Sequence, residues 1–170
     1  MSRRSLKAAF AAAITASLAL TAVPAHAAPD PDPLVWADLT GTYAATGVYQ
    51  YEPFAVADGF KPTPCAEMPP DGGMGYHYFN LENIDKLTPS TPAALLYEDT
   101  PDQGRRLVGV EWIASADTHS SAPTMFGQTF RGPRAYTEPL NGSFYTLHAW
   151  IYKENPNGLF GLWNPTVKCS

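Results

Sequence analysis

Two cysteines, Cys65 and Cys169, restrict this chain more than any other pair of residues in it. Two thiols allow one intramolecular pairing, and a bond between them ties the last residues to the opening of the domain. Closing a loop of roughly a hundred residues removes about 4–5 kcal/mol of unfolded-state freedom in the chain-entropy picture. The pair reads as a staple and not as a redox centre, because the chain has no C-x-x-C spacing.

Such a bond persists in an oxidising compartment, and the N-terminus predicts the route to one. Arg3, Arg4 and Lys7 carry positive charge with no acid nearby, an Ala/Leu-rich stretch runs from Ala8 to Val23, and Pro24-Ala25-His26-Ala27 follows. That order is a charged region, an apolar region and an A-x-A cleavage site, so residues 1–27 are expected to be a secretory signal peptide. A spanning helix needs about 20 apolar residues, whereas this run is diluted by Thr15, Ser17 and Thr21 and stops at a proline. No second apolar run of that length follows, so no integral membrane segment is expected after cleavage. The protein is accordingly expected to be secreted, or extracytoplasmic.

Removing residues 1–27 takes away three of the 11 basic residues and none of the 16 acidic ones, which shifts the net charge from −5 to −8. A surface of that sign repels phosphate backbones, so nucleic acid is excluded as a partner. Residues 28–33 (Ala-Pro-Asp-Pro-Asp-Pro) form a leader that has nothing to pack. The remainder, 34–170, is long enough for one globular domain and one core.

Along that domain, Trp36, Leu39, Tyr43 and Val48 stand near helical spacing, weakened by Gly41 and Gly47. Glu52 to Gly59 is bracketed as a short helix by Pro53 at its first turn and a glycine past its end. Lys61–Cys65 reads as extended, and Met74–Asn80 as an aromatic strand. Ala93–Glu98 and Arg106–Ala114 flank a strong turn signal and form a predicted hairpin. Ser143–Tyr152 is the clearest strand, and Asp117–Gly142 is punctuated by proline and glycine. Two Asn-Pro turns, at 155–156 and 164–165, mark the tail. The expected fold is α+β: an antiparallel sheet of four to five strands, curled toward an open barrel, with one or two short N-terminal helices.

Several blocks together carry a resemblance. Gly73-Met74-Gly75-Tyr76-His77-Tyr78-Phe79-Asn80, Leu95-Leu96-Tyr97-Glu98, Leu107-Val108-Gly109-Val110-Glu111-Trp112 and Leu147-His148-Ala149-Trp150 run in order, and the chain closes on Asn155-Pro156, Trp163-Asn164-Pro165 and Cys169. In that order they resemble an uncharacterised family of exported bacterial proteins. The resemblance covers the chain from about Tyr51 onward and implies a secreted single domain; it brings no activity with it.

Polar residues inside apolar strands point to a site. Side chains alternate along a strand, so His148 shares a face with Phe144, Thr146, Trp150 and Tyr152. By the same parity Glu111 shares one with Leu107, Gly109 and Ile113, and His77 one with Gly75 and Phe79. A buried carboxylate is costly unless it is paired or bound to a metal. Two imidazoles and a carboxylate form a facial ligand set suited to iron, zinc or copper. One reading is therefore a divalent transition-metal or small-ligand site on His77, Glu111 and His148, which Glu98 could join as a fourth member, with Glu98 and Trp150 as candidate ligand contacts. The competing expectation is a hydrogen-bonded structural network with no metal, since no close histidine pair marks the site. Aromatics interleaved with polar groups also suit a small-molecule or glycan ligand. Three functions are thus weighed: a ligand- or metal-binding surface module, an extracytoplasmic enzyme using the same three residues, and a structural envelope protein.

Overall fold

The computed structural model describes residues 34–102 and 104–169. The expected signal peptide (1–27) and leader (28–33) lie outside the described residues. The fold is α+β. Helices α1 (Val35–Asp38), α2 (Thr40–Thr46) and α3 (Glu52–Ala57) come first, with a 3₁₀ turn over Gly47–Gln50. Strands follow: β1 (Lys61–Met68), β2 (Gly72–Phe79), β3 (Ala94–Asp99), β4 (Arg105–Ser115), β5 (Thr124–Met125), β6 (Gln128–Thr129), β7 (Arg131–Tyr136) and β8 (Gly142–Ala149). Six of them form one antiparallel sheet in the order β1-β2-β3-β4-β8-β7, curved into a half-barrel, while β5 and β6 form a separate small hairpin. The sheet is wider than the four or five expected strands because β1 and β7 join it despite their prolines. Both are edge strands, where a missing ladder N–H is tolerated.

The N-terminal helix bends at Leu39 and buries Val35, Leu39, Thr42 and Thr46, spaced four, three and four apart. This stripe lies beside the one expected from the apolar residues. Of those, Trp36, Tyr43 and Val48 are about half exposed. Thr46 is accommodated because its hydroxyl has partners: Oγ1 donates to the Thr42 carbonyl (2.8 Å) and lies 2.9 Å from the Tyr152 hydroxyl, whereas the buried Thr42 hydroxyl has none among the described residues. These helices cover one face of the sheet through Tyr78, Leu95, Tyr97, Leu107, Val110, Trp112 and Leu147. The buried aromatics keep their polar ends paired: Tyr97 donates to the Tyr49 carbonyl (2.6 Å), and Trp112 to that of Thr88 (2.8 Å).

The opposite face is lined by Phe79, Ala94, Leu96, Val108, Ile113 and Phe144 and closed in part by the C-terminal segment. β8 ends at Ala149, three residues short of the expected Tyr152, because the Trp150 amide turns away to the Leu159 carbonyl (2.9 Å). Tyr152 consequently reaches the helix side, toward Thr46 and Tyr43, and leaves the face of His148. The tail is held by asparagine side chains that mimic backbone turns. Asn155 Nδ2 donates to the Trp163 carbonyl, Asn164 Nδ2 donates to that of Glu154, and Asn164 Oδ1 accepts from the Thr166 amide. A backbone bridge joins Asn164 to Gly73, and the Cys65–Cys169 disulfide forms, with Cα atoms 5.7 Å apart.

Replacing both cysteines by serine is expected to lower stability by about 2–4 kcal/mol, since the closed loop is long. A urea titration reads this as a lower midpoint; an unmoved midpoint would show that the bridge does not hold the tail. Among the described residues no helix is long and apolar enough to cross a membrane.

Candidate metal centre

The site is built from the ladder register. Glu111 on β4 stands directly opposite His148 on β8, and side chains of such a pair project to the same face within reach of each other. His77 lies two strands away on β2, in the row that runs through Leu96 to Gly109. The neighbouring row runs from Phe79 through Ala94 to Glu111. Alanine at 94 and glycine at 109 leave the face open between the two rows, and the curvature of the half-barrel carries His77 toward the pair. His77 Nε2 lies 3.7 Å from Glu111 Oε2, and His148 Nε2 lies 3.4 Å from Glu111 Oε1. One ligand atom from each residue falls within 4.8 Å of the other two.

All three are buried, at 8%, 3% and 3% exposure for His77, Glu111 and His148. The rings are held from behind: His77 stacks on Phe79 (5.5 Å) and His148 on Trp150 (6.3 Å), and the two imidazoles meet edge to face. Burial disfavours every charged form. It lowers His77 to about 4, against a backbone hydrogen bond to Gly75 that acts the other way. It raises Glu111 to about 8, partly offset by a hydrogen bond with Thr146. His148 falls well below the ordinary histidine range through burial first and then through the nearby His77 and Arg131. Without an ion the cluster is a neutral acid among neutral imidazoles. His148 Nε2 has no hydrogen-bond partner among the described residues. A satisfied structural network, the competing expectation, leaves no such orphan.

The cluster forms part of the lining of a cavity of about 660 Å³, together with Met68, Met74, Phe79, Tyr136, Thr146, Leu162 and Trp163. Arg131, Gly132, Pro133 and Arg134 contribute from β7, and Ala66 from β1, so both edges of the sheet reach it. The C-terminal turns supply Leu162 and Trp163 as one wall.

Sequence parity places His77, Glu111 and His148 on one face, as the structure does, and fails beside them. Alternation places Leu107 on the Glu111 face, but it packs under the helices, while Val108 faces the site side. The cause is a bulge: the β3–β4 register shifts between Leu96 and Tyr97, so β4 spends one extra residue there and its alternation inverts. Glu98 does not join the cluster. It is buried and tied to Arg106 and Lys153, and Lys153 also donates to the Thr166 carbonyl, which makes Glu98 an anchor for the tail. That commitment also removes it from any carboxylate pair with Glu111. Trp150 supports the His148 ring and donates its Nε1–H to the Gly161 carbonyl (2.6 Å), outside the cavity lining. His119, the remaining histidine of the domain, pairs with Asp85 away from the site. Arg131, Arg134, Leu162 and Trp163 carry no site signal in the sequence. Their segments are broken by glycine and proline, which reads as loop, and only the register of β7 against β8 reveals where the arginines point.

No protein-family model, curated protein or solved structure matches the chain, so the geometry of this centre is the ground for its reading.

Proposed function

We propose that this is an exported ligand-binding domain whose site holds a divalent transition metal on His77, Glu111 and His148. The observation that carries the reading is the buried, unpartnered Nε2 of His148 aimed at Glu111. Leaving such an atom unsatisfied costs about 1–3 kcal/mol, and burying the carboxylate beside it adds to that cost. A cation bound to all three donors offsets both. Metal–ligand distances near 2.0–2.2 Å are reached if the three donors draw together by about an ångström. The Gly75 hydrogen bond to the His77 ring is the kind of outer partner that orients a metal-bound imidazole.

Three protein ligands leave coordination positions open, as in catalytic rather than structural zinc sites. Those positions face a cavity large enough for a small organic molecule. This favours a metal-dependent binding role, with catalysis at the same centre as the second reading, and counts against a purely structural envelope component. The disulfide and the expected signal peptide support export.

The test is elemental analysis of the protein purified from the exported fraction without a histidine tag. One equivalent of metal is expected as isolated or after reconstitution with zinc, copper or iron. The metal should be lost in both His77→Ala and His148→Ala, with circular dichroism unchanged. Failure of the wild type to retain any of the three ions would sink the reading.

A further inference from the structure

The edge strand β7 carries Arg131 and Arg134, three apart, a spacing that puts two side chains on opposite faces of a regular strand. Here it does not. Arg131 pairs with Thr146 and Arg134 with Phe144, so β7 advances three residues while β8 advances two. The extra residue sits at Gly132, whose φ is +118° and where a Cβ would fall 2.8 Å from the Phe144 carbonyl oxygen. Only glycine fits there. Thr146 and Phe144 lie on the same face as His148, two and four residues before it. The bulge therefore aims both arginines at the cavity, and both are among its lining residues. Bulges at sheet edges commonly re-aim a side chain in this way.

Neither arginine forms an ion pair among the described residues, and among them the only carboxylate lining the cavity is Glu111. In a chain of net charge −5, two uncompensated guanidinium groups at one cavity are a local reversal of sign. A divalent ion held by one carboxylate adds to that reversal. Beside these charges, Met74, Phe79, Leu162 and Trp163 offer an apolar wall.

We propose that the cavity takes a small organic carboxylate with an apolar or aromatic body: the carboxylate completes the metal's coordination, Arg131 and Arg134 neutralise it, and the body lies against Phe79, Leu162 and Trp163. This rests on the metal reading above. Arginine suits the role because its planar fork matches a carboxylate bidentately and keeps its charge at any physiological pH. A neutral glycan, which carries no such charge, gains nothing from the pair.

Cobalt(II) is the probe, since its visible absorption reports ligand exchange. The cobalt-loaded full domain is titrated with benzoate, acetate, inorganic phosphate and neutral benzamide, following cobalt absorption and tryptophan fluorescence. Benzoate is expected to shift both signals and to bind more tightly than acetate, phosphate or benzamide. The double variant Arg131→Gln/Arg134→Gln should bind cobalt at least as tightly as the wild type and lose roughly tenfold or more in benzoate affinity, the scale of a charge-assisted contact. The variant carrying lysine at both positions should retain part of that affinity. Benzamide binding as well as benzoate, or a double variant that binds benzoate like the wild type, would overturn the arginine assignment. Phosphate or acetate matching benzoate would overturn the apolar body. Cobalt bound with no response to any acid defeats this proposal and leaves the metal centre standing; a wild type that binds no cobalt is loaded with whichever of zinc, copper or iron it retains and titrated by tryptophan fluorescence with the same expected order, and one that retains none of the four removes both.

Discussion

Gly75→Ala is expected to cost more than about 4 kcal/mol, the range reserved for changes that force backbone apart. Gly75 has φ of +78°, and a Cβ there would lie 2.2 Å from the carbonyl oxygen of Tyr97 on the neighbouring strand. The obstacle is backbone in the middle of the sheet, so no side-chain rotation relieves it. The left-handed conformation adds roughly 1–2 kcal/mol of its own. Gly75 also hydrogen-bonds the His77 ring through its backbone, so any folded population should bind metal more weakly than the wild type. Urea denaturation measures the first effect and metal titration the second. A loss of stability under about 1.5 kcal/mol, within the range of ordinary substitutions, would show that β2 and β3 do not approach as closely as described.

Glu111→Gln is the second large effect, and it depends on pH. In the metal-free protein the carboxyl of Glu111 holds its proton up to about pH 8, because burial opposes the charge. The unfolded chain releases that proton near the ordinary value of about 4.3–4.5. Below that value both states are protonated and the group contributes its full stability. As pH rises from there to about 8 the unfolded state binds fewer protons than the folded one, so stability falls. The glutamine substitution removes this slope while keeping the shape of the protonated acid. The stability of the wild type relative to Glu111→Gln should therefore decline by roughly 3–5 kcal/mol between about pH 4.5 and 8, at about 1.4 kcal/mol for each pH interval of one across that window. His77 and His148 act with opposite sign below about pH 6.5, since their folded forms resist protonation. They are present in both proteins and largely cancel in the comparison. Parallel pH profiles for the two proteins would mean that the carboxylate is solvated. Metal binding needs the ionised acid and neutral rings, so metal affinity should climb with pH and level off above about 8.

Glu111 and His148 were legible because each sits in a long β-branched or aromatic run, where alternation assigns a face without knowledge of the rest of the chain. The strands β2, β3, β4 and β8, the bracketed helix at Glu52–Ala57 and the single possible disulfide were legible for similar reasons. The edge strands were less so: glycine and proline in β7 oppose a strand locally, and only its position at the sheet edge makes them acceptable.

The amino-acid order thus determined the central strands β2, β3, β4 and β8, their antiparallel arrangement in an acidic domain, and that two histidines and a glutamate would face apolar neighbours. Tertiary structure alone decided that these three meet, that Glu98 is spent on Arg106 and Lys153, and that Arg131 and Arg134 point into one cavity. The physical reason is range. Alternation has a period of two residues and is written in the segment itself, whereas register, bulges and sheet curvature come from hydrogen bonds between residues far apart in the chain. One added residue in β4 or β7 inverts every face beyond it.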